Sequence, residues 1–353
     1  MSIAVGEPVP WFRAATPSQP EFSFDTVAGR YVLMVFLPRD ADRRGEVLAA
    51  LSENLATFDN RRLTALAVVR DAATAVGVKD LKALHWILDL DDRISRKFDV
   101  AADDGVDRPA WLLLDPTLRL LRRWNVGEEQ ALFAALPKLP PPERHAGPII
   151  PAPVLIAPRI FEPAFCQQLI DLLESDGGGA FSGVMRDRGQ RTVVVMDDLK
   201  KRRDVLITDP DLQTAIRRRL KARLFPMINR AFGFKVTRIE RYLVSCYAAE
   251  DGGVFHAHRD NTTQGTAHRK FAGSINLNDS FEGGDLRFPE FGPATYRPPV
   301  GGSCVFGCGL LHEATPVTSG RRYAFLPFFY DEAGQSLLDA YRERIAETAV
   351  EAN

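Results

Sequence analysis

Val254-Phe255-His256-Ala257-His258-Arg259-Asp260 is the stretch on which the reading of this chain turns. His258 and Asp260 are two residues apart, so on a β-strand both side chains leave the same face. Far downstream, Leu311-His312-Glu313 offers a second imidazole. Two histidines and one carboxylate on one face of a metal form a facial triad. Such a set suits Fe(II), because it leaves positions open for a co-substrate and oxygen. A His-x-Asp pair alone is common, so its surroundings decide what weight it carries.

From Lys235 onward the chain becomes a succession of short apolar runs broken by glycine and proline. Val236–Tyr247, Gly253–His258, Phe271–Asn278, Asp285–Phe288, Ala294–Arg297, Ser303–Phe306 and Tyr323–Tyr330 are the expected strands. Runs at this spacing predict an all-β barrel or sandwich. Upstream, Val154–Ile156 is expected as a strand and Glu162–Ser175 as a helix ended by Gly177-Gly178-Gly179. Residues 180–205 are expected as a mobile segment over a site. Asp209–Phe232 is expected as one long helix, capped by Asp209 ahead of Pro210. Its Arg217, Arg218, Arg219, Lys221 and Arg223 read as a solvated face.

The first 136 residues have a different pattern. Tyr31–Leu37 and Leu63–Val69 are continuous apolar runs of the kind buried parallel strands need. Gly45–Phe58 has helical spacing between them. Short strands at Trp86–Leu90, Arg108–Pro116 and Leu118–Trp124, a turn at Ile94–Phe98 and a helix at Glu128–Leu136 complete an α/β layer. Trp11, Trp86, Trp111 and Trp124 are expected in its core. Residues 137–153 hold seven prolines, which suits a semi-rigid spacer. The expected division is therefore 1–136, a proline-rich linker at 137–153, and 154–353.

The bulk properties narrow the function. With 353 residues, two domains are the prior. A net charge of −1 speaks against a nucleic-acid partner. The opening residues carry neither a basic nor an apolar leader, and no apolar run approaches a membrane span. Cys166, Cys246, Cys304 and Cys308 form no CxxC. The expectation is a cytoplasmic protein without disulfides or membrane contact. Cys304 and Cys308 read as small core residues.

Residues 3–136 resemble a thioredoxin-like domain of the peroxiredoxin (redoxin) type. The likeness rests on Phe36-Leu37-Pro38 closing a strand and on Arg108-Pro109 before Trp111-Leu112-Leu113-Leu114-Asp115. It implies a cis bond at Pro109. In the peroxidase motif, however, Asp42 fills the threonine slot and Gly45 the cysteine slot. Without a thiolate there is no peroxidase chemistry. The domain is read as a docking or dimerisation module, and a homodimer is the assembly it suggests.

Residues 150–332 resemble the Fe(II)/2-oxoglutarate dioxygenases of the prolyl-4-hydroxylase-like branch. Seven pieces occur in order: Tyr247; His258-Arg259-Asp260-Asn261; Asn276-Leu277-Asn278; Phe281 to Phe288; Gly301-Gly302; His312 to Val317; and Gly320 to Ala324. The resemblance implies a multidomain protein in which a double-stranded β-helix (jelly-roll, cupin-like) with supporting helices follows the α/β domain. It implies His258, Asp260 and His312 as metal ligands. Arg322, preferred over Arg321, and Tyr247 would hold the distal carboxylate of 2-oxoglutarate. Fe(II), 2-oxoglutarate and O2 are the implied cofactors, with ascorbate as an accessory reductant. The implied reaction hydroxylates an unactivated C–H bond of a prolyl or other peptidyl, protein or amino-acid-like substrate, yielding succinate and CO2. Asn276 stands where many relatives have a tyrosine, so the pocket is remodelled there or Asn276 substitutes. His256 is expected to support the site and His268 to lie on the surface. The rival reading is a non-catalytic metal- or 2-oxoglutarate-binding or interaction protein beside a degenerate redoxin domain.

Overall fold

The computed structural model describes residues 3–101 and 106–351. They fall into two compact units, residues 1–151 with 289–293, and residues 152–288 with 294–353.

In the first unit β1 (Tyr31–Phe36), α1 (Ala41–Glu53), β2 (Leu63–Val69), α2 (Ala72–Gly77), β3 (Leu84–Leu88), α3 (Arg93–Lys97), β4 (Ala110–Leu114), β5 (Leu120–Asn125) and α4 (Glu129–Ala135) follow one another. The sheet order is β3-β2-β1-β4-β5. The first three strands are parallel, whereas β4 and β5 run antiparallel. Every residue of β1, β2 and β4 is buried, which explains their unbroken apolar sequence. Helix α1 starts four residues earlier than expected, because the Asp40 carboxylate accepts from the Arg43 N–H and caps it.

Two expectations fail in this unit. No peptide bond among the described residues is cis, Arg108–Pro109 included. The Arg108 N–H donates to the Val100 carbonyl, so a trans chain already feeds β4. Trp11 is 45% exposed, while Trp86, Trp111 and Trp124 are buried. It lies in the polar lead-in ahead of the sheet, outside the strands that form the core. Gly45 sits on α1 with open space around it.

The second unit contains β6 (Leu155–Ala157), α5 (Pro163–Ser175), β7 (Val184–Arg188), β8 (Arg191–Val195), β9 (Arg203–Leu206), α6 (Pro210–Arg219), α7 (Phe225–Phe232), β10 (Arg238–Glu240), β11 (Leu243–Ala248) and β12 (Val254–His258). It continues through β13 (Phe271–Asn276), β14 (Phe281–Gly283), β15 (Leu286–Arg287), β16 (Ser303–Gly307), β17 (His312–Ala314), β18 (Val317–Phe325), β19 (Phe328–Tyr330) and α8 (Glu332–Glu351). One large sheet runs β10-β19-β13-β18-β11-β9, with β16 also on β13. A smaller sheet has β12-β17-β15 at its centre.

Helices α5, α6 and α7 cover the large sheet. Phe165, Leu169, Leu173, Ile216, Leu224 and Ile228 pack in one core with Val244, Ile275, Phe325 and Phe329. Burying each such side chain contributes roughly 1.5–3 kcal/mol. The expected single helix 209–232 is instead interrupted by a π turn at Leu220–Leu224. Pro226 has no N–H to give the preceding turn, so the ladder must shift there. Asp209 caps α6 through the N–H groups of Asp211 and Leu212.

The segment 180–205 is not a loose cover. Strands β7 and β8 form a five-pair hairpin, and β9 pairs with β11. Ion pairs and the β11 ladder compensate for its polarity. No helix among the described residues is long and apolar enough to cross a membrane.

Gly301 shows why certain glycines recur in the strand turns. Its φ is +69°, and a Cβ there would lie 2.1 Å from the Phe161 carbonyl oxygen. That oxygen belongs to the residue whose N–H, like that of Ile160, donates to the Gly301 carbonyl. A side chain would prise apart the turn that leads into β16.

Candidate metal centre and its pocket

Strands β12 and β17 pair with His258 directly opposite His312. The register slips between Phe255 and His258, so one extra residue is inserted on β12. Such a bulge re-aims the side chains that follow it. His258 turns inward, whereas the His256 ring is left exposed. The carbonyl of His256, not its imidazole, serves the site.

Both site histidines are oriented alike. His258 Nδ1 donates to the His256 carbonyl at 2.7 Å, and His312 Nδ1 donates to the Leu310 carbonyl at 3.0 Å. A ring that donates from Nδ1 presents the Nε2 lone pair as an acceptor. The two Nε2 atoms face one carboxylate, at 3.6 Å from Asp260 Oδ1 and 3.3 Å from Asp260 Oδ2. The ligand atoms of His258, Asp260 and His312 all lie within 4.8 Å of one another. Asp260 is itself fixed by its N–H, which donates to the Cys308 carbonyl at 3.0 Å.

Burial and the neighbouring His312 push the His258 pKa down to about 4, against the hydrogen bond to Asp260. Burial opposes the charge on Asp260, yet His312 and His258 hold its carboxyl well below the usual range. A neutral imidazole beside an ionised carboxylate is the protonation state that metal binding requires. The donor set therefore fits a divalent ion with nitrogen and oxygen preference.

The cavity beside this cluster lies between the two sheets. Leu286, His312 and Ala314 line it from the smaller sheet, and Tyr247, Ser274 and Arg322 from the larger. Tyr247 and Arg322 are opposite each other on β11 and β18. The Arg322 guanidinium carbon sits 5.4 Å from the Tyr247 ring centre. Alternation sends Arg321 to the other face, where it pairs with Glu250 and Glu174.

Arg322 is 2% exposed, and no carboxylate among the described residues pairs with it. Its Nε and Nη2 donate to Asn276 Oδ1, and Nη2 also to Ser274 Oγ at 2.7 Å. Asn276 thus stands in the expected tyrosine position as a clamp on the guanidinium. Its own amide donates to the Pro298 carbonyl.

Two groups of the pocket wall, Arg202 and Arg241, and Lys200, which shares Asp204 with Arg202, escaped the sequence reading. Buried Arg202 forks onto Asp204, with Nη2 to Oδ2 at 2.7 Å, and reaches the Tyr247 hydroxyl at 3.3 Å. Lys200 is pushed down to about 6, by burial first and then by Arg202. Arg241 carries a left-handed φ of +49° between β10 and β11. A residue held there costs about 1–3 kcal/mol. Basic residues at strand edges look like surface, so only the tertiary pairings reveal them.

His268 is a further correction. It is 3% exposed, because its Nε2 meets Glu240 Oε2 at 2.8 Å and Arg269 forks onto the same carboxylate. Burial would raise the Glu240 pKa, but these hydrogen bonds outweigh it and hold it at about 2. The native group is thus depressed below its unfolded value. The stability it contributes is present above about pH 4.5 and is lost as pH falls toward 2. We expect Glu240→Gln to cost up to about 3 kcal/mol at pH 7. In urea titrations the gap between variant and wild type should close across that acid window. A gap that stays constant down to pH 3 would show that Glu240 is not the acid-sensitive group.

Residues 242–330 match the family described as the 2OG-Fe(II) oxygenase superfamily, and they enclose every residue of the cluster above. Among solved structures, a prolyl hydroxylase from Trichoplax adhaerens, in complex with a hypoxia inducible factor oxygen degradation domain peptide fragment, is similar at 20% identity. The match covers 52% of this chain and 86% of that one, with a TM-score of 0.41. A Pseudomonas putida prolyl-4-hydroxylase is similar at 16% identity over 53% of this chain and 95% of its own, with a TM-score of 0.38. A reduced 2-Cys peroxiredoxin from Plasmodium vivax is similar at 23% identity over 37% of this chain and 78% of its own, with a TM-score of 0.32. No curated protein matches the chain.

Proposed function

We propose that the domain at 154–353, a double-stranded β-helix with supporting helices, is an Fe(II)- and 2-oxoglutarate-dependent hydroxylase. One observation carries this reading. Two Nε2 lone pairs and a carboxylate converge in a cavity that also holds Arg322, a buried guanidinium paired with no carboxylate among the described residues. A dianionic co-substrate satisfies both ends of that arrangement.

His258, Asp260 and His312 would hold the metal, and three protein ligands leave room for a chelating co-substrate and oxygen. Bound there, Fe(II) supplies the oxidising chemistry that couples loss of CO2 from 2-oxoglutarate to hydroxylation of a C–H bond, with succinate as co-product. The protein's own part is positional. Arg322 meets the distal carboxylate with its free Nη1 while Asn276 and Ser274, holding Nε and Nη2, keep the guanidinium from turning. Tyr247 shields one side of that guanidinium. Phe255 and Phe306 pack on the two imidazoles and keep water from them. A peptidyl, protein or amino-acid-like substrate is the class proposed, and the cysteine-less domain at 1–136 is proposed to dock it or to pair two copies. The test is whether the iron-loaded full chain binds 2-oxoglutarate without oxygen and releases succinate once oxygen is admitted. Failure at both steps refutes the proposal.

A further inference from the structure

Arg241 is a cation of the pocket that neither the metal nor 2-oxoglutarate accounts for. It lines the same cavity as His258, Asp260, His312 and Arg322. The chain brings it there on a left-handed residue, in the two-residue break between β10 and β11. A non-glycine residue persists in that conformation only where its surroundings hold it. Its guanidinium carbon lies 4.4 Å from the centre of the Phe328 ring, and its Nε is sealed from solvent without a hydrogen-bond partner.

The carboxylates that act most on Arg241 are Glu240 and Asp204. Both are committed elsewhere. Glu240 bridges His268 and Arg269, and Asp204 takes Arg202 and Lys200. Burial first, and then the like charges of Arg269 and Arg202, push the Arg241 pKa down to about 10. The guanidinium is still charged at neutral pH and has no ion-pair partner among the described residues.

A charge count on the loaded site, which rests on the function proposed above, leaves the same remainder. Asp260 and the 1-carboxylate of 2-oxoglutarate match the two charges of the metal. Arg322 matches the distal carboxylate, and Arg202 is matched by Asp204. Arg241 is half-buried with its Nε sealed, and an incoming anion would supply the pairing that this partly desolvated cation lacks. We infer that Arg241 anchors a carboxylate on the molecule to be hydroxylated, so that the substrate is an acid rather than a neutral internal residue. The carboxylate could belong to a free amino acid, a peptide C-terminus or an acidic side chain. Leu286, Leu326, Pro327 and Phe328 line the cavity beside it and suit the carbon skeleton.

The experiment uses the full chain loaded with Co(II) in place of iron and saturated with 2-oxoglutarate, with binding read from the visible spectrum of the metal. The probes are free and N-acetylated L-amino acids, the N-acetyl methylamides of aspartate and glutamate, and the carboxamide of each. At least one acid should bind about tenfold or more tightly than its carboxamide. The arm that binds best distinguishes a main-chain from a side-chain carboxylate. Arg241→Gln should erase the preference, Arg241→Lys should keep part of it, and 2-oxoglutarate should still bind both variants. Acids and carboxamides binding alike, or no probe binding, would overturn the inference while leaving the oxygenase reading intact. So would a loss in Arg241→Gln that falls on 2-oxoglutarate instead. A wild-type chain that binds no 2-oxoglutarate would overturn that reading, and the inference with it.

Discussion

Replacing Arg322 with alanine is expected to weaken 2-oxoglutarate binding by two to three orders of magnitude, roughly 3–4 kcal/mol. The size follows from burial. Arg322 is 2% exposed, so its pairing with a carboxylate is little screened by water. Three of its five N–H groups already donate to Asn276 and Ser274, which fixes the plane of the guanidinium and leaves the two on Nη1 for the ligand. Arg322→Lys keeps the charge but loses that clamp, and should fall between wild type and alanine. Anaerobic titration of the metal-loaded protein checks both. Arg321→Ala is the informative contrast, since Arg321 faces Glu250 and Glu174 outside the cavity and should leave 2-oxoglutarate affinity within about twofold. Equal losses from the two substitutions would mean that position 322 is not the carboxylate site.

The second large effect concerns the metal. Asp260→Ala and His312→Ala should each lower divalent-ion affinity by more than about 100-fold, because loss of even an outer partner of a metal ligand costs 10–100-fold. In the metal-free protein Asp260→Ala should also cost some stability near neutral pH. His312 and His258 hold the Asp260 carboxyl well below its usual range, so the native fold favours the ionised group, and removing it forfeits that contribution. The two predictions separate in a denaturation experiment. At a metal concentration of 100 times Kd the wild type should gain about 2.7 kcal/mol, and Asp260→Ala close to none. A wild type whose stability does not respond to Fe(II) or Mn(II) would contradict metal binding at this cluster.

The triad and Arg322 were legible because their spacing obeys strand alternation and because each lies in a glycine-punctuated run. Choosing Arg322 over Arg321 needed no more than that alternation, and the register opposite Tyr247 follows the same rule. What stayed hidden depends on contacts between distant residues. His268 has no local mark of burial; Glu240, 28 positions earlier, makes it an interior residue. Arg202 and Asp204 lie in a polar stretch that reads as loop until β9 is seen paired with β11. Arg241 interrupts an apparently continuous strand from Val236 to Tyr247, and a single left-handed residue leaves no periodicity to detect. The bulge that separates His256 from His258 is likewise invisible to a two-residue repeat. In the first domain the missing cysteine was plain, while the trans bond at Pro109 and the exposure of Trp11 were not.

The central claim is that one metal and one 2-oxoglutarate meet in the cavity between the two sheets. Its most direct measurement is an anaerobic titration of the full chain, first with Fe(II) and then with 2-oxoglutarate, followed in visible absorption. The account predicts a charge-transfer band that appears only when both are present, saturates at one equivalent of each, and bleaches with release of succinate when oxygen is admitted. No band at saturating Fe(II) and 2-oxoglutarate, or a band that survives intact in Asp260→Ala, would contradict it.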